Sequence, residues 1–197
     1  NTYMYMDDTP RATKVSRLSD DLLQEVVFTP ELRPQLPAHL VTDFEQRRQR
    51  LIKGYEPEDG DELVAWVKER TAIPLAEWRF APPTGKLTVL HNGDATLVVA
   101  LEDLQRVRQA LTTTDDEAAT RTCIANWLQY YGPISGAAIA GKLGVDRHTL
   151  EHVLTHLTEQ KVVVFGHLVD ADSAETWCDA ANYEALLRSL RRDARQD

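Results

Sequence analysis

Apolar side chains recur at helical spacing in three stretches of the first half of the chain, and each stretch predicts a helix. The first covers residues 19–28, with Ser19 as its N-cap and an apolar face of Leu22, Leu23, Val26 and Val27. Three prolines predict a connector over residues 29–37. The second helix covers residues 38–52, with an apolar stripe of Leu40, Val41, Phe44, Leu51 and Ile52. The third covers residues 61–70, with its apolar positions filled by Leu63, Trp66, Val67 and Arg70.

Two runs rich in leucine and β-branched residues then predict a β-hairpin, over residues 86–90 and 96–100. Asn92-Gly93 stands between them, and Asn-Gly favours a type I′ turn, in which both central residues have positive φ. A helix over residues 102–111 and a polar linker follow. We place a domain boundary after Thr114.

The second half begins with three predicted helices. The first ends near Tyr131, and its apolar positions are Ile124, Trp127, Leu128 and Tyr131. Ser135 and Asp146 are predicted N-caps of the next two, which are separated by a short turn at Gly144. The third helix has a core face of Leu150, Val153, Leu154 and Leu157.

Two strands, over residues 161–165 and 175–178, and a last helix capped by Asp179 complete this half. The order of elements predicts a winged helix-turn-helix over residues 115–197. The whole chain is therefore expected to be α+β and mostly helical, with a helical segment and its β-hairpin over residues 1–114.

Composition and charge limit the classes of function. The 197 residues are 43 % hydrophobic and carry 22 Lys and Arg against 31 Asp and Glu, a net charge of −9. Because phosphate contacts supply much of the affinity for nucleic acid, this balance argues against a self-sufficient nucleic-acid binder. No apolar run approaches the roughly 20 residues of a membrane helix, so we expect a cytoplasmic protein without a membrane partner. A chain that begins at Asn1 rather than Met is expected to be a fragment.

The third helix of the second half would face the major groove in a helix-turn-helix protein. Its outward side contains two carboxylates and three histidines but no lysine: His148, Glu151, His152, Thr155, His156 and Glu159. Because carboxylates repel phosphate, this side favours solvent or a protein partner over bases. The histidines recur at i, i+4 and i+8, but without an HExxH motif or a third ligand type we predict no metal site.

The last helix carries an apolar face of Tyr183, Leu186, Leu187 and Leu190 and a basic face of Arg188, Arg191, Arg192 and Arg195. Four guanidinium groups on one stripe can bind a phosphate backbone. Alternatively, they complement the helix dipole and are solvated. Arg47 and Arg48 interrupt the stripe of the second helix, which indicates an interdomain contact first and a nucleic-acid contact second. Arg147 completes the candidate nucleic-acid-binding set.

Motifs for catalysis are absent from the sequence. It contains no GxxxxGK[ST], GxGxxG or GxSxG, and neither cysteine has a plausible local base. Cys123 and Cys178 fall in predicted core elements, where inert packing is expected. The residues themselves therefore predict no catalytic site and no cofactor in this chain.

Several short motifs follow one another in a collinear order from about residue 3 to residue 190. They are Tyr3-Met-Tyr5, Asp8-Thr-Pro10, Leu18-Ser-Asp-Asp-Leu-Leu23, Glu31-Leu32, Phe44-Glu-Gln-Arg-Arg48, Val98-Val-Ala-Leu-Glu-Asp103, Trp127-Leu-Gln-Tyr-Tyr-Gly-Pro133 and Trp177-Cys-Asp179. In this order they resemble the helicase-associated segment that follows the motor of large helicase-related (Lhr-type) ATP-dependent helicases. Met6 departs from the acidic residue usual in that family, and Ala180 and Ala181 stand where basic residues are common.

The resemblance implies a piece of a superfamily 2 helicase that moves 3′ to 5′ on DNA. ATP and Mg²⁺ would bind to two upstream RecA-like domains of the same polypeptide, and single-stranded or forked DNA would be the partner. We therefore expect a non-catalytic region that guides nucleic acid. The alternative is an acidic winged-helix adaptor that mediates protein–protein interaction.

Overall fold

The structure is a computed structural model and describes residues 20–112, 115–170 and 174–196. Within these ranges the chain is α+β and mostly helical, as the pattern predicts. Its elements in order are α1 (residues 20–28), α2 (Ala38–Arg48), α3 (Gly60–Arg70), β1 (Ile73–Pro74), β2 (Leu87–Asn92), β3 (Ala95–Ala100), α4 (Leu104–Thr112), α5 (Glu117–Leu128), α6 (Gly136–Leu143), α7 (Arg147–Glu159), β4 (Val163–Gly166), β5 (Thr176–Asp179) and α8 (Ala180–Asp193). The predicted cap Ser19, the motifs before it and the predicted boundary at Thr114 lie outside the described residues.

Side-chain caps explain where three helices of the second half begin. Ser135, Asp146 and Asp179 each accept a hydrogen bond from the amide three residues later, at 3.1, 3.0 and 2.9 Å. All three caps were expected from the sequence. The turn between α6 and α7 is also confirmed, because Gly144 ends α6 in the left-handed conformation with φ of 68°.

The predicted end of α2 at Ile52 is wrong. The helix stops at Arg48, because Arg50 adopts a positive φ of 58° and the amide of Leu51 donates to the carbonyl of Gln46 at 2.9 Å. This is the Schellman arrangement, in which glycine is the usual left-handed residue. Arginine at that position leaves no signal in the sequence.

The same arrangement at the end of α7 makes β4 begin later than predicted. Lys161 has a φ of 60°, and the amide of Val162 donates to the carbonyl of Leu157 at 2.9 Å. These residues close α7, so the strand begins at Val163 rather than at residue 161. The remaining predicted elements occur with bounds shifted by three residues or fewer.

The first sheet has the antiparallel order β1-β3-β2. The predicted hairpin is present, with Asn92 paired to Ala95, so its two loop residues are Gly93 and Asp94. Of these two residues only Gly93 has a positive φ (54°), whereas a type I′ turn needs positive φ at both. The expected type I′ turn is therefore wrong, and the pattern is that of type II′. Strand β1, which pairs with β3, was not predicted.

The second sheet is the antiparallel pair β4–β5. An isolated antiparallel bridge extends it, since Ile134 and Trp177 exchange backbone hydrogen bonds of 2.9 and 2.8 Å. Ile134 lies in the segment between α5 and α6. The hairpin is thereby tied to the start of α6.

Among the residues that the structure describes, two of the three apolar clusters draw members from both halves of the chain. The largest joins α5, α6 and α7 to the first sheet and α4, and its buried members from the first half are Ala72, Leu90, Leu97, Val99, Val107, Ala110 and Leu111. The second packs Leu23, Val27 and Leu36 against β5 and α8. A third, around Trp66, lies within the first half. The boundary after Thr114 stays a prediction, and across it the apolar packing is continuous.

Candidate nucleic-acid interface

α8 is held at its start and along its apolar side. The carboxylate of Asp179 caps the helix, and burial raises its pKa, opposed by its backbone hydrogen bonds. The hydroxyl of Tyr183 donates to the carbonyl of Pro34 at 3.0 Å, and burial raises the pKa of Tyr183 to about 12. Leu186 and Leu187 are buried beside it. The opposite side of α8 is left to solvent.

That solvent side ends in three arginines without a carboxylate partner. Arg191 and Arg192 lie in the last turn of α8, whereas Arg195 lies in the turn after the helix ends at Asp193. All three are exposed, and in the part of the chain that the structure describes none forms an ion pair or a side-chain hydrogen bond. Three positive charges therefore gather at a helix C-terminus, where the dipole also favours cations.

Arg188, the fourth member of the predicted basic face, is held by two carboxylates. Its Nη2 lies 2.9 Å from Oδ1 of Asp20 and 2.7 Å from Oε1 of Glu184. Hydrogen bonds with Glu184 and then with Asp20 raise the pKa of Arg188. Because its charge is balanced within the chain, Arg188 is a weaker candidate for phosphate than the sequence suggests.

The two arginines at the end of α2 also differ in whether their side chains have partners within the chain. Arg48 donates from Nε to the carbonyl of Gln129 at 2.8 Å, and its guanidinium lies 5.0 Å from the centre of the Tyr130 ring. It therefore makes a contact between the two halves of the chain. Arg47 is exposed and has no side-chain partner among the described residues.

The predicted arginines do not form one surface. Asn182, near the start of α8, donates to the same Gln129 carbonyl at 2.8 Å, so Arg48 lies at that end of the helix. With a rise of 1.5 Å per residue, Arg192 lies about 15 Å farther along the axis. Arg147 is on a third element, in the first turn of α7, 3.7 Å from Glu151, and it lines a groove to which none of the other candidate arginines contributes.

α7 buries the four apolar residues predicted for it. On its outward side Nδ1 of His152 lies 3.0 Å from the carboxylate of Glu117 on α5. No group of three or more His, Cys, Asp or Glu side chains could hold a metal ion, within the residues that the structure describes. The outward side of α7 thus carries mainly carboxylates and imidazoles, with Arg147 in the first turn paired to Glu151.

A buried charge cluster was missed by the sequence reasoning. Arg70 is 2 % exposed, donates from Nη2 to the hydroxyl of Tyr131 at 3.1 Å and lies 3.7 Å from Oε1 of Glu77. Glu77 also accepts from that hydroxyl at 2.9 Å and from Nζ of Lys142 at 2.8 Å. Burial raises the pKa of Tyr131, so its hydroxyl stays protonated. These four side chains join α3 to α6 and to the segment that follows α5.

A signal for this cluster was present in the sequence. Arg70 occupies the fourth apolar position of its helix, and an arginine at a core position requires buried partners. The partners come from residues 77, 131 and 142, which the sequence alone does not bring together.

Glu45 on α2 lies beside the cluster. It accepts a hydrogen bond from the amide of Gly132 at 2.9 Å. Burial raises its pKa above the usual 4.5; the charge of Glu77 acts in the same direction, and those of Lys142 and Arg70 oppose it.

Both cysteines are buried, as expected. Burial raises the pKa of Cys123 to about 11 and that of Cys178 well above its usual value. A thiolate at either position is therefore strongly disfavoured near neutral pH.

No family model, curated protein or solved structure matches this chain. Across the described ranges, no helix has the length and apolar content that crossing a membrane would require.

Proposed function

We propose that this chain is a non-catalytic region that guides nucleic acid in an ATP-dependent 3′–5′ DNA helicase of the Lhr type. The observation that carries the proposal is the group of three exposed arginines, Arg191, Arg192 and Arg195, that have no counter-ion in the described chain. Such a group can contact phosphates without reading the sequence of the bases. The type of parent enzyme is proposed from the resemblance of the collinear motifs to Lhr-type helicases.

Residues 115–197 are proposed to act as a winged helix-turn-helix. The capped α6 and α7 separated by a left-handed Gly144, followed by the antiparallel β4–β5 hairpin, support this assignment. The bridge between Ile134 and Trp177 supports it further, because it ties the hairpin to the segment before α6. In this role the unit is a rigid wall beside the strand rather than a reader of bases.

ATP turnover belongs, in this proposal, to the RecA-like domains of the same polypeptide, where ATP and Mg²⁺ would bind. The residues of this chain contribute position and charge: Arg191, Arg192 and Arg195 attract the strand, and the arginines held by internal partners support the shape of the chain. Arg188 and Arg48 are of the second kind.

Binding to single-stranded DNA over a range of salt concentrations tests the role of the free arginines. We expect the chain to bind a labelled oligonucleotide weakly, with affinity that falls as salt rises. The variant Arg191→Ala/Arg192→Ala/Arg195→Ala should lose most of the binding. Its salt slope should fall by about 2, since each phosphate contact to a single strand contributes about 0.7.

The matched control is Lys53→Ala/Arg79→Ala/Arg108→Ala, which removes the same charge from exposed positions elsewhere. It should bind nearly as well as the wild type. Equal losses of DNA binding in both variants would show that binding depends on net charge rather than on the three arginines at the end of α8. Absence of salt-dependent binding by the wild type would overturn the proposal.

A specific observation favours the acidic adaptor as a second candidate. The outward side of α7 contains Glu151 and Glu159, and the chain has a net charge of −9. An adaptor would bind no DNA at any salt concentration in the same titration.

A further inference from the structure

A groove of about 540 Å³ lies between α7 and the β4–β5 hairpin. Its α7 side is formed by Arg147, Glu151, Thr155 and Glu159, and its hairpin side by Phe165, Glu175 and Trp177. None of the arginines at the end of α8 reaches it. A cavity of this size can hold one or two side chains of a partner.

The floor of the groove is aromatic. The rings of Phe165 and Trp177 lie with centroids 4.2 Å apart at 33°, and both side chains are only half-buried. Rings this close cover each other's inner faces, so the pair offers an outward ring face to a flat or cationic group.

The indole N–H of Trp177 has no acceptor among the described residues. The other three tryptophans each donate to a backbone carbonyl, at 2.9 Å in every case. Gly136, the first residue of α6, has no side chain to fill the space next to this N–H group. A Cβ at that position would lie 3.6 Å from Nε1 of Trp177. The groove therefore presents a free donor that suits a carbonyl oxygen.

The charge of the walls is negative. Glu151, Glu159 and Glu175 face one guanidinium, that of Arg147, which lies 3.7 Å from Glu151. The lining residues of the groove carry two more negative charges than positive ones, which repels phosphate and attracts a cation.

We propose that this groove is a docking site for an arginine-bearing peptide segment of a partner protein. The planar guanidinium stacks on the outward face of the Phe165–Trp177 pair and binds the carboxylates of Glu151 and Glu175. A backbone carbonyl of the same segment accepts from the indole of Trp177. Arginine fits better than lysine because its flat fork both stacks and forms paired hydrogen bonds.

The proposal rests on the groove alone and not on the helicase assignment. Loss of DNA binding by the α8 arginine variant leaves it untouched, because those arginines do not line the groove.

Fluorescence anisotropy with synthetic peptides tests the site. The probe is a labelled glycine–serine peptide with two arginines, compared with the same peptide carrying lysine or the neutral isostere citrulline. We expect saturable binding of the arginine peptide, weaker binding of the lysine peptide and none of the citrulline peptide. Glu151→Gln/Glu159→Gln/Glu175→Gln should weaken the arginine peptide by at least about tenfold.

The matched control is Glu25→Gln/Asp43→Asn/Glu69→Gln, which removes three exposed carboxylates that lie outside the groove. It should change the affinity by less than about twofold. Trp177→Phe keeps an aromatic ring but removes the indole donor, so we expect a loss of about fivefold.

Three outcomes would overturn the proposal. The first is equal weakening by the groove and control triple variants, which would make the attraction one of net charge. The second is displacement of the peptide by single-stranded DNA, which would assign the groove to nucleic acid. The third is self-association of the chain, measured by sedimentation, if the groove triple variant abolishes it and the arginine peptide does not compete with it.

Discussion

The carbonyl oxygen of Asn92 occupies the space in which a side chain at Gly144 would lie. The side chain of Asn92 closes the same contact, since its Nδ2 donates to the carbonyls of Leu143 at 2.8 Å and of Gly144 at 3.2 Å. The tip of the β2–β3 hairpin and the turn between α6 and α7 therefore interlock through backbone atoms. Glycine is required there both by this approach and by its φ of 68°.

Gly144→Ala is expected to lower the free energy of unfolding by about 3 kcal/mol, from left-handed strain together with the overlap on Asn92. Gly85→Ala is the control, because Gly85 has a similar φ of 66° but no atom within 4 Å of its Cβ position. It should cost about 1 kcal/mol. Urea denaturation measures both, and equal losses would mean that the contact with Asn92 relaxes freely.

Glu77→Gln is expected to destabilise the fold by about 2 kcal/mol, because it leaves buried Arg70 and the ammonium of Lys142 without a counter-ion. Glu102→Gln removes a carboxylate from an exposed pair with Lys68 and should cost less than about 0.5 kcal/mol. Thermal and urea unfolding of the two variants give the comparison. A small effect at Glu77 would show that Tyr131 and solvent can satisfy Arg70 without the carboxylate.

The raised pKa of Glu45 makes the stability of the fold depend on pH. The folded state binds the Glu45 proton more tightly than the unfolded state, so stability falls as pH rises from about 4.5 through the raised pKa. Glu45→Gln cannot ionise and can still accept from Gly132. The free energy of unfolding of the variant minus that of the wild type should therefore be more positive at pH 7 than at pH 4. Denaturation of both proteins at both pH values measures this difference. A difference that is constant with pH, or that reverses, contradicts the prediction.

Cys123 and Cys178 should react with a thiol reagent only when the chain unfolds. Both are buried, and burial raises both pKa values, so neither offers an accessible thiolate. We expect the reaction of the native protein at pH 8 to be slow and to accelerate to the rate of a free thiol in urea. Rapid reaction of one equivalent in native buffer would show that one of these sites opens locally.

The elements of the second half could be predicted because local chemistry determines them. Ser135, Asp146 and Asp179 are capping residues placed just before apolar periodic runs, and the structure uses all three as caps. The helix ends at Arg50 and Lys161 could not be predicted, since a positive φ at a long side chain has no signature in the sequence.

The candidate site was only partly predictable for a related reason. Helical periodicity places Arg188, Arg191 and Arg192 on one face, and they do lie on the solvent side of α8. Arg188 is held by Glu184, four residues earlier on the same helix, and by Asp20, which lies 2.9 Å away and is distant in sequence. The contact with Asp20 could not be predicted from spacing along the chain. The groove between α7 and the hairpin likewise depends on the position of Glu175 and Trp177, which spacing along the chain does not specify.

The continuous apolar packing across residue 114 has a consequence for protein engineering. A cut there would expose Val107, Leu111 and their neighbours on one piece, and Ile124, Trp127 and Leu128 on the other, to water. Separate expression of the halves should therefore yield aggregates, while mixing them from denaturant should restore a non-covalent heterodimer. Recombination between related chains would be tolerated poorly at this junction, so the halves are expected to be inherited as a pair.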